Sequence, residues 1–347
     1  MASTQKALLV TEIGKPLVLV HDRPIARPGP DQVQLKVSVA GLNPHDQRGR
    51  DDGLLIEGYL PAVLAGDVVG TVSQVGEGVG DIKVGDRVVT SAKQQSPGSL
   101  QGGLQEYAIA DIHGLCKIPD NISDDEAATL PINLVATWVA LFHTLQIPAP
   151  STPDAARFAS SGAPILIVGG GSNCGKFAVQ LAKLAGISEI VVVGGAEAEL
   201  KALGATHVID RHGGYDAVLK EIRDIVDDEL VYALDAVNPP DGLLLALGAL
   251  SNHKKGVLAR LLPMMPVDES KVLGKQAGFE IRDVLGSFHR DTPLVQSLWK
   301  NLPGYLETGS IRPSGFEVID GFEADCVNEA LNRYRDGGKA IKPHIRL

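Results

Sequence analysis

Residues 164–186, Pro-Ile-Leu-Ile-Val-Gly-Gly-Gly-Ser-Asn-Cys-Gly-Lys-Phe-Ala-Val-Gln-Leu-Ala-Lys-Leu-Ala-Gly, decide the fold. The apolar run Ile165 to Val168 predicts a buried strand. Four of the next seven residues are glycine, and Phe177, Leu181 and Leu184 then recur at helical spacing. A strand, a glycine-rich turn and a helix start together make a pyrophosphate site. Glycine lets the backbone approach the anion, and the first-turn N–H groups and the helix dipole hold it. Gly170, Gly171, Ser172, Asn173, Cys174 and Gly175 are the expected holders. The strand before and the helix after give the motif its meaning. The alternative is an ordinary strand-to-helix turn in some other α/β domain.

The sequence beyond the turn continues the pattern. A second strand, Glu189 to Val193, runs into Gly194-Gly195, and a short helix, Ala196 to Leu203, leads to a third strand, His207 to Asp210. Further strands are expected at Leu230–Val237, Gly256–Leu262 and Glu280–Gly286. Strands alternating with helices predict a parallel, doubly wound sheet whose ligand lies at the carboxyl ends of the strands.

The end of the second strand bears on which dinucleotide binds. An NAD site usually places an acid there, on the ribose 2′-OH. Here Gly194-Gly195 removes the charge that would repel a 2′-phosphate, and Arg211 after the third strand offers a cation, with Lys201 a weaker one. NADPH is therefore expected, with Gly195 and Arg211 in its site. An ordinary solvated arginine at 211, and Glu197 and Glu199 nearby, are the opposing considerations.

Composition sets outer bounds. A chain of 347 residues suggests two domains, and 44% hydrophobic residues can fill both cores. A net charge of −10 without a basic stripe argues against a nucleic-acid partner. The apolar runs fall short of a bilayer span and the N-terminus lacks a signal-peptide core, so no membrane partner is expected. Cys116, Cys174 and Cys326 are too scattered for a disulfide framework, and a reducing, cytoplasmic setting is expected.

Residues 6–120 are organised differently. Short β segments cut by Gly and Pro are expected at Ala7–Val10, Gln32–Val39, Val68–Val75, Arg87–Ser91 and Gln105–Ala110, as in a compact barrel-like domain. Ser123 with Glu126 at the capping-box position opens a helical stretch expected to break at Pro131. Residues 148–164, rich in Pro, Ser and Ala, read as a surface loop.

Several ordered motifs now stand together. They are Ala40-Gly41-Leu42-Asn43-Pro44-His45-Asp46, then Leu60 to Gly70, Val75-Gly76-Glu77-Gly78-Val79 and Lys83 to Val88. Gly102-Gly103-Leu104-Gln105-Glu106-Tyr107 and Leu203 to Asp210 complete the set. Nearly end to end, the chain resembles the medium-chain dehydrogenase/reductases. That resemblance implies an α/β protein with a GroES-like β-barrel domain (residues 1–122 and 295–347) and a Rossmann doubly wound parallel-sheet domain (residues 123–294).

The resemblance also bears on metal. Zinc-dependent members carry cysteine where this chain has Asn43 and a His-Glu pair where it has Gly66-Asp67, and the lobe of four clustered cysteines is absent. Zinc needs three or four soft or imidazole ligands, so no metal is expected, even with His45, Asp46 and Asp67 nearby. Zinc-free members that the chain resembles are quinone oxidoreductases and enoyl or alkenal reductases. Asn43-Pro44-His45-Asp46 and the loop 148–163 look like the trans-acting enoyl reductases of polyketide pathways.

The implied activity is NADPH-dependent transfer of hydride to a small conjugated carbonyl acceptor, or to one bound to a carrier protein. A non-catalytic NADPH-binding protein is the alternative. By the same resemblance, Asn43 contacts cofactor or substrate, or else caps a turn before Pro44. Asp46 orients bound groups or relays a proton, or else caps a helix. Thr137 takes the place of a threonine that touches nicotinamide, displaced by one residue, so that contact is either made through a shifted helix or lost. Gly286 to Phe288 line the nicotinamide and substrate pocket, so Gly286 and Phe288 join the cofactor set. Tyr59 and Phe288 are expected substrate contacts, with Tyr59 also readable as a surface aromatic. Cys174 replaces a usual valine, either as a reactive thiolate at a helix N-terminus or as a small buried filler. Many relatives form homodimers through nucleotide-domain sheet edges.

Overall fold

The structure is a computed structural model. It describes residues 3–93, 97–150, 152–237, 240–261, 266–284, 293–337 and 341–347. Gly286 and Phe288 lie outside the described residues.

In chain order the described strands are β1 (Thr4–Leu9), β2 (Val18–Pro24), β3 (Gln32–Gly41), β4 (Asp67–Val75), β5 (Arg87–Ser91), β6 (Tyr107–Asp111) and β7 (Leu115–Lys117). Next come β8 (Ile165–Val168), β9 (Ile190–Val193), β10 (His207–Ile209), β11 (Tyr232–Asp235), β12 (Gly256–Leu261) and β13 (Phe279–Val284). The last two are β14 (Phe316–Asp320) and β15 (Lys342–Arg346). Two compact units emerge, Met1–Ile132 with Gln296–Leu347, and Asn133–Val295.

In the first unit, β3 is the hub, pairing antiparallel with β4, β6 and β15. The sheet order is β14-β15-β3-β4-β5-β7, with β6 on β3. Val33, Leu35, Val37, Val68, Val72 and Val88 fill one side of it. A second cluster gathers Leu8, Leu42, Leu64, Leu104, Leu331 and Ile345. The C-terminal strand thus joins the N-terminal sheet, and β14 adds to it in parallel.

The division falls at 132/133 rather than at the expected 122/123, because the helix Asp124–Ala128 packs on β3, β4 and β5. It has the expected capping box, with Glu126 N–H donating to Ser123 Oγ at 3.2 Å and Ser123 N–H to Glu126 Oε2 at 2.9 Å. Its acids then reach barrel arginines, Arg87 for Asp124 and Arg346 for Asp125, both at 2.6 Å. The helical stretch is interrupted before Pro131 as expected, and Pro131 then starts a second helix, Pro131–Trp138, where its missing N–H costs nothing. That helix runs on into a π-helical turn, Val139–Thr144. The expected loop 148–164 holds a short helix, Ala155–Ala159.

In the second unit, six parallel strands lie in the order β10-β9-β8-β11-β12-β13. The chain runs outward one way from β8 and then outward the other way from β11, so the switch point lies between those two strands. All four residues of β8 and of β9 are buried, as a sheet covered on both faces requires. No helix among the described residues is long and apolar enough to cross a membrane.

Candidate functional site

At the switch point, Val168 of β8 stands in register with Val193 of β9 and Asp235 of β11, so three strands end together. The glycine turn follows at that edge and leads into the helix Asn173–Leu184. Its glycines are held by contact. A Cβ at Gly175 would come within 2.2 Å of the Gly169 carbonyl oxygen, and one at Gly170 within 2.3 Å of Val192 and 2.6 Å of the Gly194 oxygen. Ser172 Oγ accepts the Gly175 N–H at 3.0 Å and donates to the Gly169 carbonyl at 2.8 Å, which closes the turn. The amides preceding Gly175 therefore sit at the positive end of a twelve-residue helix. This arrangement suits an anion, and the Gly170–Gly175 set is brought together in it.

Behind the turn, Cys174 Sγ donates to Asn133 Oδ1 at 3.3 Å, and Thr137 Oγ1 donates to the Asn133 carbonyl at 2.6 Å. Thr137 is fully buried. Its hydroxyl bonds back to its own helix, as threonine hydroxyls in helices often do, and also lies 3.4 Å from the Cys174 carbonyl. Asn133 was not singled out in the sequence, because its partner is remote along the chain.

The end of β9 turns through Gly194 (φ 78°) and Gly195 (φ 101°), a left-handed path that glycine takes without strain. Gly195 closes on the phosphate turn, since a Cβ there would lie 2.7 Å from Gly171 N. The exposed Arg211 lays its stem along the same corner, 3.5 Å from a Cβ placed on Gly194. Glu199 pairs with Lys176 at 2.6 Å and Glu197 with Lys201 at 2.7 Å. Both acids that opposed a 2′-phosphate are therefore neutralised by neighbours, and Lys201 is committed to Glu197.

The first unit holds a buried polar cluster around Asn43. Asp67 Oδ2 accepts Asn43 Nδ2 at 2.6 Å and also the Lys342 ammonium, while Asp67 Oδ1 accepts the Ile132 N–H at 2.7 Å. Lys342 Nζ also donates to Asn43 Oδ1 at 2.9 Å. The Lys342 and Asp67 side chains are 1% and 0% exposed. Gly41, next to Asp67 in the β3–β4 register, leaves the room they need, because a Cβ there would meet Lys342 Cε at 3.1 Å and Asp67 Cβ at 3.0 Å. Lys342 was missed in the sequence, since only the pairing of β15 with β3 brings it here.

Asp46 is also buried, and its two oxygens accept the N–H groups of Asn43 at 2.8 Å and Ala65 at 3.0 Å. Burial pushes its carboxyl above the ordinary value, against the pull of His45 and these two amides. Asp46 thus caps the helix Pro44–Asp52 and fixes Ala65, whose φ of 69° is left-handed. Tyr59 is half-buried in the turn after that helix, its N–H bonded to the Ile56 carbonyl at 2.9 Å.

The cluster does not fit zinc. It offers an amide, a carboxylate already accepting three donors, and an ammonium in place of a further ligand. Among the described residues no three His, Cys, Asp or Glu side chains come together as a metal would need.

Comparison with known proteins agrees with the architecture. The family described as "Alcohol dehydrogenase GroES-like domain" matches residues 29–120, and "Zinc-binding dehydrogenase" matches residues 174–301. Trans-enoyl reductase fsr4 of Gibberella fujikuroi is 32% identical over 68% of this chain and 69% of its own length. Dehydrogenase orsE of Emericella nidulans is 30% identical over 99% of this chain and all of its own. Among solved structures, the CurK enoyl reductase superposes with a TM-score of 0.78 at 21% identity, covering 99% of both chains. A quinone oxidoreductase of Pseudomonas syringae gives 0.77 at 23% identity, covering 99% of this chain and all of that one. At such identities the structures show the shared fold, and the sequence relatives carry the family. The protein is an oxidoreductase of the medium-chain dehydrogenase/reductase superfamily, and it belongs to the enoyl reductase-like branch.

Proposed function

We propose that the protein is an NADPH-dependent reductase of conjugated carbonyl compounds, enoyl, alkenal or quinone, that works without zinc. The observation that carries this reading is the end of β9 at Gly194–Gly195, which bears no acid of its own and which Arg211 flanks beside a turn built for pyrophosphate. When bound, NADPH supplies a hydride equivalent at nicotinamide C4. Gly169 to Gly175 cradle the pyrophosphate, and Arg211 takes the 2′-phosphate. In the first unit Asp46 fixes the Asn43 and Ala65 backbone, and Asn43 with Asp67 orients Lys342. Tyr59, by the family resemblance, contacts the acceptor. Rate enhancement comes mainly from positioning and from excluding water, since reduction of a conjugated acceptor delocalises the incoming charge.

A carrier-bound enoyl thioester is the favoured acceptor within this class, because several sequence relatives are named trans-enoyl reductases. The test is NADPH oxidation, followed optically, across quinones, 2-alkenals, free and carrier-bound 2-enoyl thioesters and simple aldehydes, with NADH as the control. Turnover of conjugated acceptors and not of simple aldehydes is expected. Binding of NADPH with no turnover of any acceptor would overturn the reading in favour of a non-catalytic protein.

A further inference from the structure

Three acids stand around the corner where β9 ends. Glu197 and Glu199 lie in the first turn of the helix Glu197–Leu203, which begins directly after Gly195 and Ala196, and Asp210 follows β10. Each has a basic neighbour, Lys201 for Glu197 at 2.7 Å, Lys176 for Glu199 at 2.6 Å and the His212 ring for Asp210 at 2.7 Å. The three pairs are not equivalent. Lys201 stands one turn from Glu197 on the same helix, and the two side chains are 52% and 64% exposed. The pair of Asp210 with His212 is more open still. Water and salt screen such charges whether or not they are paired.

Lys176 and Glu199 come from different elements. Lys176 follows Gly175 in the opening turn of the helix Asn173–Leu184, and its side chain is only 17% exposed. Leu200, next to Glu199, fixes where this pair lies. Its Cδ1 is 2.7 Å from a Cβ placed on Gly195 and 2.9 Å from one placed on Gly170, so the helix that bears Glu199 sits against the corner and the glycine turn at once. The pair therefore bridges the two helix starts that flank the corner. Among the described residues Glu199 has no other cationic partner. A carboxylate at the end of the second strand is what favours a free ribose 2′-OH, and its charge repels a 2′-phosphate. Glu199 brings such a carboxylate close to that place, and Lys176 cancels its charge.

We propose that Lys176 sets the choice between NADPH and NADH by holding and neutralising Glu199, without itself touching the 2′-phosphate. The proposal rests on the NADPH reading above. It makes Lys176 a positioning residue and Glu199 a masked determinant for NADH. With Lys176 removed, the Glu199 carboxylate carries its full charge at the corner. That charge opposes the 2′-phosphate of NADPH and leaves NADH, which lacks the group, unopposed.

The experiment measures dissociation constants for NADPH and NADH by fluorescence titration of the whole chain and its Lys176→Met, Glu199→Gln and double variants. Lys220→Met, which removes a lysine paired with Asp224 along another helix, controls for net charge, and the thermal midpoint controls for folding. For Lys176→Met we expect the preference for NADPH over NADH to fall about three- to tenfold, and the loss to shrink as salt is added. The double variant should regain the wild-type preference, and Glu199→Gln and Lys220→Met should keep it. A lysine with a merely structural role would weaken both cofactors alike; an unchanged ratio in Lys176→Met would overturn the proposal and leave the NADPH reading intact. A preference that stays low in the double variant would also overturn it, because Lys176 would then touch the phosphate itself. A wild type that prefers NADH would overturn both. Should Lys176→Met fail to fold, Lys176→Gln, which keeps a polar chain without the charge, decides in its place.

Discussion

Replacing Asp67 by alanine would strand the Lys342 ammonium in a pocket nearly closed to water. Asp67 accepts from Asn43, Ile132 and Lys342, and both charged side chains are at most 1% exposed. After the substitution Lys342 keeps Asn43 Oδ1 as its partner, while the bonds from Asn43 Nδ2 and the Ile132 N–H to Asp67 are lost. Removing one member of a buried pair costs about 3–5 kcal/mol, a large share of the 5–15 kcal/mol that holds a typical domain. Replacing both members by apolar side chains, Asp67→Leu with Lys342→Met, should recover most of this, because no uncompensated charge remains. A double-mutant cycle of Asp67→Leu, Lys342→Met and the double variant, read by urea unfolding, should therefore show the double far less costly than the sum of its singles, a coupling of at least about 3 kcal/mol. Trp138 lies in the second unit and Trp299 in the first, so a Trp138→Phe background isolates the signal of the unit that holds the pair. Single substitutions that each cost under about 1 kcal/mol, or that simply add in the double variant, would refute the reasoning.

Gly175→Ala should abolish NADPH binding and destabilise the second unit by about 1–3 kcal/mol, since its Cβ would meet the Gly169 oxygen at 2.2 Å; calorimetric titration and thermal unfolding check it. Arg211→Ala should weaken NADPH about tenfold and leave NADH unchanged, a difference that fluorescence titration resolves. Burial opposes the charged form of Asp228, but the Asn252 and His253 amides, with the His253 and Ser251 side chains, overcome it and hold this carboxyl far below the usual range. Its contribution is therefore present above the ordinary carboxylate value and lost as pH falls below it. Asp228→Asn should be less stable than wild type at neutral pH, and that gap should close in acid, as denaturation across pH would show.

The nucleotide fold was legible because periodicity survives in short buried runs. Ile165–Val168 is four consecutive buried residues, and its glycine turn needs no distant partner to be recognised. The barrel was harder. Val18–Pro24 opens apolar but runs on through His21-Asp22-Arg23-Pro24 and is largely exposed, and Leu115–Lys117 is only three residues long. Phe316–Asp320 and Lys342–Arg346 owe their strand state to pairing with residues far away in sequence. The same physics hid half of the first unit's site. Asn43, Asp46 and Asp67 stand in quotable motifs, but Lys342 enters only through β15, in a stretch that reads as an ordinary basic tail. Asp46 shows the reverse difficulty, since a carboxylate beside a proline reads equally as catalyst or cap until its two amide donors are seen.

The central claim is hydride transfer to a conjugated carbon, and isotope transfer tests it most directly. NADPH deuterated at C4 would be incubated with a 2-enoyl thioester, free and carrier-bound, and the product analysed by mass spectrometry and NMR. One deuterium on the β-carbon, with a solvent-derived hydrogen on the α-carbon, is the predicted result. Oxidation of NADPH with no deuterium in the product, or deuterium delivered to the carbonyl carbon, would contradict it.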